Sequence, residues 1–124
     1  MLVTNLINKK EFHDLLLKEF PVLKRDIEDN SVKYLTHVEI AYLRQLLETA
    51  VRENNIKEIK RIINFINSLI KGKNKLHPEV LNAIEISFVE DLLLGDEKIY
   101  NISKSYLTQD IKSIVNDFEK NKKQ

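Results

Sequence analysis

The 124-residue chain contains no cysteine. That excludes disulfides and thiolate metal sites and fits a reducing compartment. Glycine and proline occur only twice each. So few punctuating residues disfavour a β-rich fold with its many tight turns and favour helices joined by short connections. The same scarcity leaves no glycine-rich loop for phosphates, and neither a Walker loop nor a dinucleotide fingerprint occurs. A charge excess of one sign is also missing. Twenty Lys and Arg against 19 Asp and Glu leave a net charge of +1, which argues against a histone-like mode of binding. No apolar run approaches the ~20 residues of a membrane span. The N-terminal MLVTNLINKKEF lacks the long apolar core and small-residue cleavage site of a secretory signal. The expectation is therefore a cytoplasmic protein whose residues 1–124 form one domain. With 43% hydrophobic and 31% charged residues, it can bury a real core.

Helical periodicity is what the chain does have. The stretch Leu76 to Gly95, LHPEVLNAIEISFVEDLLLG, organises the rest. Pro78 suits a first helical turn, and Gly95 suits a left-handed residue just past a helix end. Placed at about 100° per residue, its apolar side chains cover nearly the whole circumference, the pattern of a helix that others surround. Before it, Asn8 with Glu11 has capping-box spacing for a first helix from Lys9 to Glu19 that ends at Pro21. Val22, Leu23 and Ile27 suggest a short second segment, and Asp26 to Ser31 reads as a polar loop. Thr36 with Glu39 repeats the capping-box spacing for a third helix, which ends near Glu53. Asn55 with Glu58 repeats it again for a fourth. That fourth helix stripes Ile59, Ile62, Ile63, Ile66, Leu69 and Ile70 on one face and ends at Gly72. After Gly95, Asp96 and Glu97 suit the start of a short sixth helix. Thr108 can cap a seventh, followed by a frayed basic tail at residues 119–124. The predicted fold class is all-α, an irregular bundle of about six to seven helices. Turns at Asn54-Asn55 and Gly95-Asp96 lie about 40 residues apart, a period compatible with HEAT-like antiparallel hairpins.

Candidate chemistry is sparse. His13, His37 and His77 are scattered with no HxxxH or HExxH spacing, so each is expected to be a surface or cap-adjacent histidine, and no metal or cofactor site is predicted. Two charge patterns stand out. Glu79, Glu85, Glu90, Asp91, Asp96 and Glu97 follow one another with no Lys or Arg between them. On the helical wheel Glu79 and Glu90 share one edge. The strip reads either as a solvated face or as a docking surface for a basic partner. The opposite pattern is Lys57, Lys60, Arg61 and Lys71 on the polar side of the fourth helix. It reads either as a solvated face or as a phosphate-binding stripe, though no aromatic interleaves it.

Three phrases together carry a family resemblance: KEFPVLKRDIED, ENNIKEIKRIINFINSLI and PEVLNAIEISFVEDLLLGDEKI. From about Phe12 to Leu107 the chain resembles small all-helical immunity proteins of bacterial contact-dependent inhibition and polymorphic-toxin loci. The resemblance implies a protein without enzymatic activity that binds the C-terminal domain of a cognate toxin one-to-one and occludes its active site. The toxin would be a nuclease, RNA-cleaving in the first instance, with a cationic cleft that the acidic strip complements. The phrases hold helix-packing residues and turns, so no family functional residue carries over to a position here. The alternative is a helical nucleic-acid-binding or adaptor protein that uses the basic face of the fourth helix.

Overall fold

A computed structural model describes residues 6–122, and for residues 121 and 122 the backbone alone. The polypeptide there is 79% helical with no strand among the described residues. Seven helices follow in order: α1 (Lys9–Glu19), α2 (Lys24–Ile27), α3 (Thr36–Arg52), α4 (Ile56–Lys71), α5, α6 (Glu97–Lys104) and α7 (Gln109–Lys122). Helix α5 is composite, with α-turns at Pro78–Ala83 and Asp91–Leu94 flanking a π-helical segment at Ile84–Glu90. The predicted all-α bundle of six to seven helices is thus the observed one.

Local chemistry sets most of these boundaries. Asn8 Oδ1 accepts from Glu11 N–H at 2.9 Å, and Asn55 Oδ1 accepts from Glu58 N–H at 3.2 Å, as the cap spacing predicts. Asp96 Oδ1 accepts from both Lys98 and Ile99. His77 caps α5 through Nδ1, which accepts from Glu79 N–H at 3.2 Å. Packing fixes the rest. Phe12 and Leu16 of α1 and Phe20 just past its end meet Leu43 and Leu47 of α3, the isoleucine stripe of α4 and Val80, Ile84 and Phe88 of α5 in one core. Ile99, Ile111 and Val115 extend that core into α6 and α7. Helix α5 packs against α1, α3, α6 and α7. That is the central place its all-round apolar surface predicts. Before α1, Ile7 exchanges hydrogen bonds with Lys75 and His77, pinning the start of the described chain to the entry of α5.

Four expectations are corrected. Gly95 is not left-handed (φ −85°); what it provides is space, because a Cβ there would lie 3.0 Å from the Asp91 carbonyl oxygen. Thr36 is the first helical residue of α3 rather than its cap, the cap position falling on Leu35, which offers no side-chain acceptor. The Asp26 to Ser31 stretch is loop only in part: Asp26 and Ile27 close α2 with Ile27 buried, and Asp29 accepts from the Ser31 N–H and hydroxyl. The tail expected to fray from residue 119 is still helical to Lys122, and Glu119 accepts from the Tyr100 hydroxyl at 3.4 Å. Residues 123 and 124 lie outside the described chain, as do residues 1–5 of the N-terminal stretch considered above.

Candidate functional site

The most unusual chemistry gathers where α1 meets the start of α3. Tyr34 is left-handed (φ 68°), a conformation rare for a bulky side chain. It turns the chain so that Thr36 and Glu39 face inward instead of closing a capping box. Glu39 Oε2 accepts from the Tyr34 N–H at 3.2 Å and also bonds His13 Nδ1. His13 Nε2 pairs with Glu28 Oε1 at 2.5 Å, and Lys33 stands 3.6 Å from the other Glu28 oxygen. The Tyr34 ring lies edge-on to the imidazole at 4.9 Å. His13 is 1% exposed and Glu39 0%. His13 is therefore no surface histidine but the buried centre of a carboxylate–imidazole–carboxylate array that reaches the surface at the half-buried Glu28.

Electrostatics follow from that geometry. Burial alone would depress the His13 pKa, but its bonds to Glu39 and Glu28 and their negative charges outweigh burial, so the value is raised above the ordinary 6.5. The hydrogen bond from His13, aided by Lys33, holds the Glu28 carboxyl below its usual range. The two carboxylates address opposite ring nitrogens, so their oxygens do not converge on a shared point. Among the described residues no cluster of three or more His, Cys, Asp or Glu is arranged to hold a metal ion.

Beside this array lies a groove of about 370 Å³ lined by Lys9, Glu79, Asn82 and the run Tyr34 to Val38. His37 lines it too, and its Nδ1 hydrogen-bonds with Ser87 Oγ at 2.7 Å. Ser87 belongs to the π-segment of α5, where each turn holds roughly one residue more than an α-turn and backbone groups lose their usual partners. Arg44 of α3 compensates: its Nε donates to the Ser87 carbonyl at 3.1 Å, while its other nitrogens reach Glu48 (3.1 Å) and Asp91 (3.9 Å).

The π-segment also breaks the wheel that put Glu79 and Glu90 on one edge, because it slips the phase by roughly one residue between them. Glu79 pairs with Lys9 at 3.6 Å, Asp91 with Arg44, and Asp96 is committed to capping α6. The bases absent from that stretch of sequence are thus supplied from α1 and α3. Glu85 and Glu90 are half-buried and Glu97 is exposed. Leu94, 56% exposed, stands among the acids at the α5–α6 junction.

The basic face of α4 is dispersed. Lys57, Lys60 and Arg61 line one hollow and Lys71 another. Arg61 is occupied by Glu58, by the Glu19 side chain and carbonyl, and by the Phe20 ring 4.6 Å beneath it. Phe65 shares that hollow, but its ring packs tilted against Phe12 and edge-to-face against Phe20. The His13 array escaped the sequence because its members are 15 and 26 residues apart. The one available signal was the place of His13 beside Phe12 and three residues before Leu16, on the buried flank of α1.

No curated protein and no solved structure matches the chain. One family model does match, over residues 13–122, nearly the whole of the described fold. The chain belongs to the family of that model, the domain of unknown function DUF7674.

Proposed function

We propose that this protein is a non-catalytic binder that neutralises a cognate bacterial toxin domain in the cytoplasm by occluding its active site, with a nuclease, RNA-cleaving in the first instance, as the target. One observation carries the reading. At the α5–α6 junction an exposed leucine, Leu94, stands among Glu90, Asp91, Asp96 and Glu97. An exposed apolar anchor flanked in sequence by acids is suited to a cationic cleft: the charges speed encounter and the anchor sets the residence time. Glu90 and Asp91 also stand near the C-terminal end of α5, where unpaired carbonyls disfavour negative charge. Arg44 accounts for Asp91, but no ion pair among the described residues accounts for Glu90, which supports a role for it outside the fold. The basic face of α4 is the weaker alternative, because Arg61 is already paired.

The test is co-purification with the product of the immediately upstream gene, followed by Glu90→Lys with Asp91→Lys. A one-to-one complex that silences the toxic activity is expected. The double reversal should slow association at least tenfold, and Leu94→Ala should chiefly speed dissociation. Unchanged association in the double reversal would remove the acidic surface from the interface. No complex, together with salt-sensitive RNA binding lost on Lys57→Glu and Lys60→Glu, would replace this reading with the alternative.

A further inference from the structure

The connection from α2 to α3, residues 28–35, lies on the bundle without a core anchor. Ile27 before it and Thr36 after it are buried, but no side chain between them is. Hydrophobic burial, which fixes the helices, therefore does little to hold this segment. Its own backbone bonds only shape it: the Lys33 N–H donates to the Asp29 carbonyl at 2.8 Å and the Leu35 N–H to the Val32 carbonyl at 2.9 Å. Among the described residues, the ties that side chains make between it and the bundle converge on the His13 array. Glu28 reaches His13 Nε2, Lys33 reaches Glu28, the Tyr34 N–H donates to Glu39, and the Tyr34 ring stands against the imidazole. The left-handed Tyr34 costs free energy and persists because these contacts impose it.

These ties depend on a fixed number of protons. Each ring nitrogen of His13 faces a carboxyl oxygen, Nδ1 that of Glu39 and Nε2 that of Glu28. Each hydrogen bond needs a proton, so the two bonds need two, whether ring or carboxyl carries them. Removal of one leaves a nitrogen lone pair facing a carboxylate oxygen. The two arms are then unequal. Glu39 is fully buried and also accepts from Tyr34, whereas the Glu28 side chain is 34% exposed and can turn to water. The other charges around the array have partners other than the ring: Lys33 has Glu28, Asp29 has Ser31, and Lys9 has Glu79 where α5 packs on α1.

We propose that residues 28–35 form a proton-operated strap: loss of one array proton frees Glu28 from His13, loosens the hold on Tyr34, and lifts the connection off His13 and Glu39 while the helices stay packed. The bonds to both carboxyl groups raise the His13 pKa above 6.5, so the strap is closed below that value and opens as pH rises through the folded one. The opening is local and does not rest on the toxin reading.

Amide-resolved hydrogen exchange of the full chain from about pH 6 to about pH 9 tests this. Protection of the Lys33, Tyr34 and Leu35 amides, corrected for the intrinsic rise of exchange with pH, should fall at least about tenfold relative to Ile62 and Ile66 of α4. The ring-nitrogen NMR signals of His13 should change with the same midpoint. Glu28→Gln keeps the side-chain size and offers an oxygen to an N–H or an amide N–H to a lone pair. It should therefore hold the strap with less than about a twofold change over the same range. Strap amides that follow α4 at every pH, a fall that survives in Glu28→Gln, or a His13 midpoint more than about one pH unit from that of the strap would overturn the proposal.

Discussion

Helix α4 and the His13 array are stabilised in opposite ways. In α4, Ile59, Ile62, Ile63, Ile66, Leu69 and Ile70 all enter the core, and each contributes by its own buried surface. In the array no member contributes alone. Glu39 is tolerable in the interior because His13 is there, and His13 holds its proton more tightly because Glu39 and Glu28 are there. Apolar burial is close to separable; buried charge is conditional on its partners.

The largest expected effects test that difference. Ile62→Ala removes a fully buried side chain and should cost about 2–5 kcal/mol in urea unfolding. His13→Ala should cost about 3–5 kcal/mol, because it strands the fully buried Glu39 without its side-chain partner. The distinction appears on the second substitution. Adding Glu39→Met to His13→Leu should recover most of the loss, since apolar groups replace the buried charge together. No change on the polar face of α4 should rescue Ile62→Ala. A double variant as unstable as His13→Ala would show that the array is tied to more of the fold than its own partners.

The same conditionality predicts a pH profile. A raised His13 pKa means that the folded state holds the proton more tightly than the unfolded chain, so this contribution is full below pH 6.5 and fades as pH rises through the folded value. Glu28 has a lowered pKa, so its contribution is full above pH 4.5 and fades as pH falls through the folded value. Stability from the array should therefore plateau between those two values. Asp29, lowered by the Ser31 hydroxyl and N–H, shares the acid edge. Thermal melts across pH should lose the alkaline edge in His13→Gln and keep an acid edge from Asp29. An alkaline edge that survives in His13→Gln would assign it to another group.

What the sequence discloses follows the same line. The caps at Asn8, Asn55 and Asp96 and the stripe of α4 are settled within a few residues, and all are legible. Thr36 and Glu39 have the spacing of a capping box, yet the left-handed Tyr34 and a histidine 26 residues away decide what Glu39 bonds. The wheel for α5 assumes one angle per residue, and the π-segment, supported by Arg44 from another helix, violates it. The acidic run looked unbroken because its bases, Lys9 and Arg44, lie on other helices. Spacing reports local hydrogen bonds well. Pairings across the core leave almost no local signature.

The smallest effects divide the two glycines along this line. Gly72 ends α4 with φ −98°, and a Cβ would meet the Ser68 carbonyl oxygen at an ordinary 3.6 Å. Gly72→Ala should therefore stabilise by roughly 0.4–1 kcal/mol, through the lower freedom of the unfolded chain. Gly95 looks equivalent in the sequence, one residue past a helix. There a Cβ would sit 3.0 Å from the Asp91 carbonyl oxygen, which is backbone and cannot swing aside. Asp91 is also the residue that Arg44 reaches from α3, so a displaced turn would pull on the contact that braces the π-segment. Gly95→Ala should lower stability by about 0.5–1 kcal/mol, and paired urea melts should move the two midpoints in opposite directions. Equal shifts would mean that the α5–α6 turn relaxes without reference to α3, leaving Arg44 as a support of the π-segment alone.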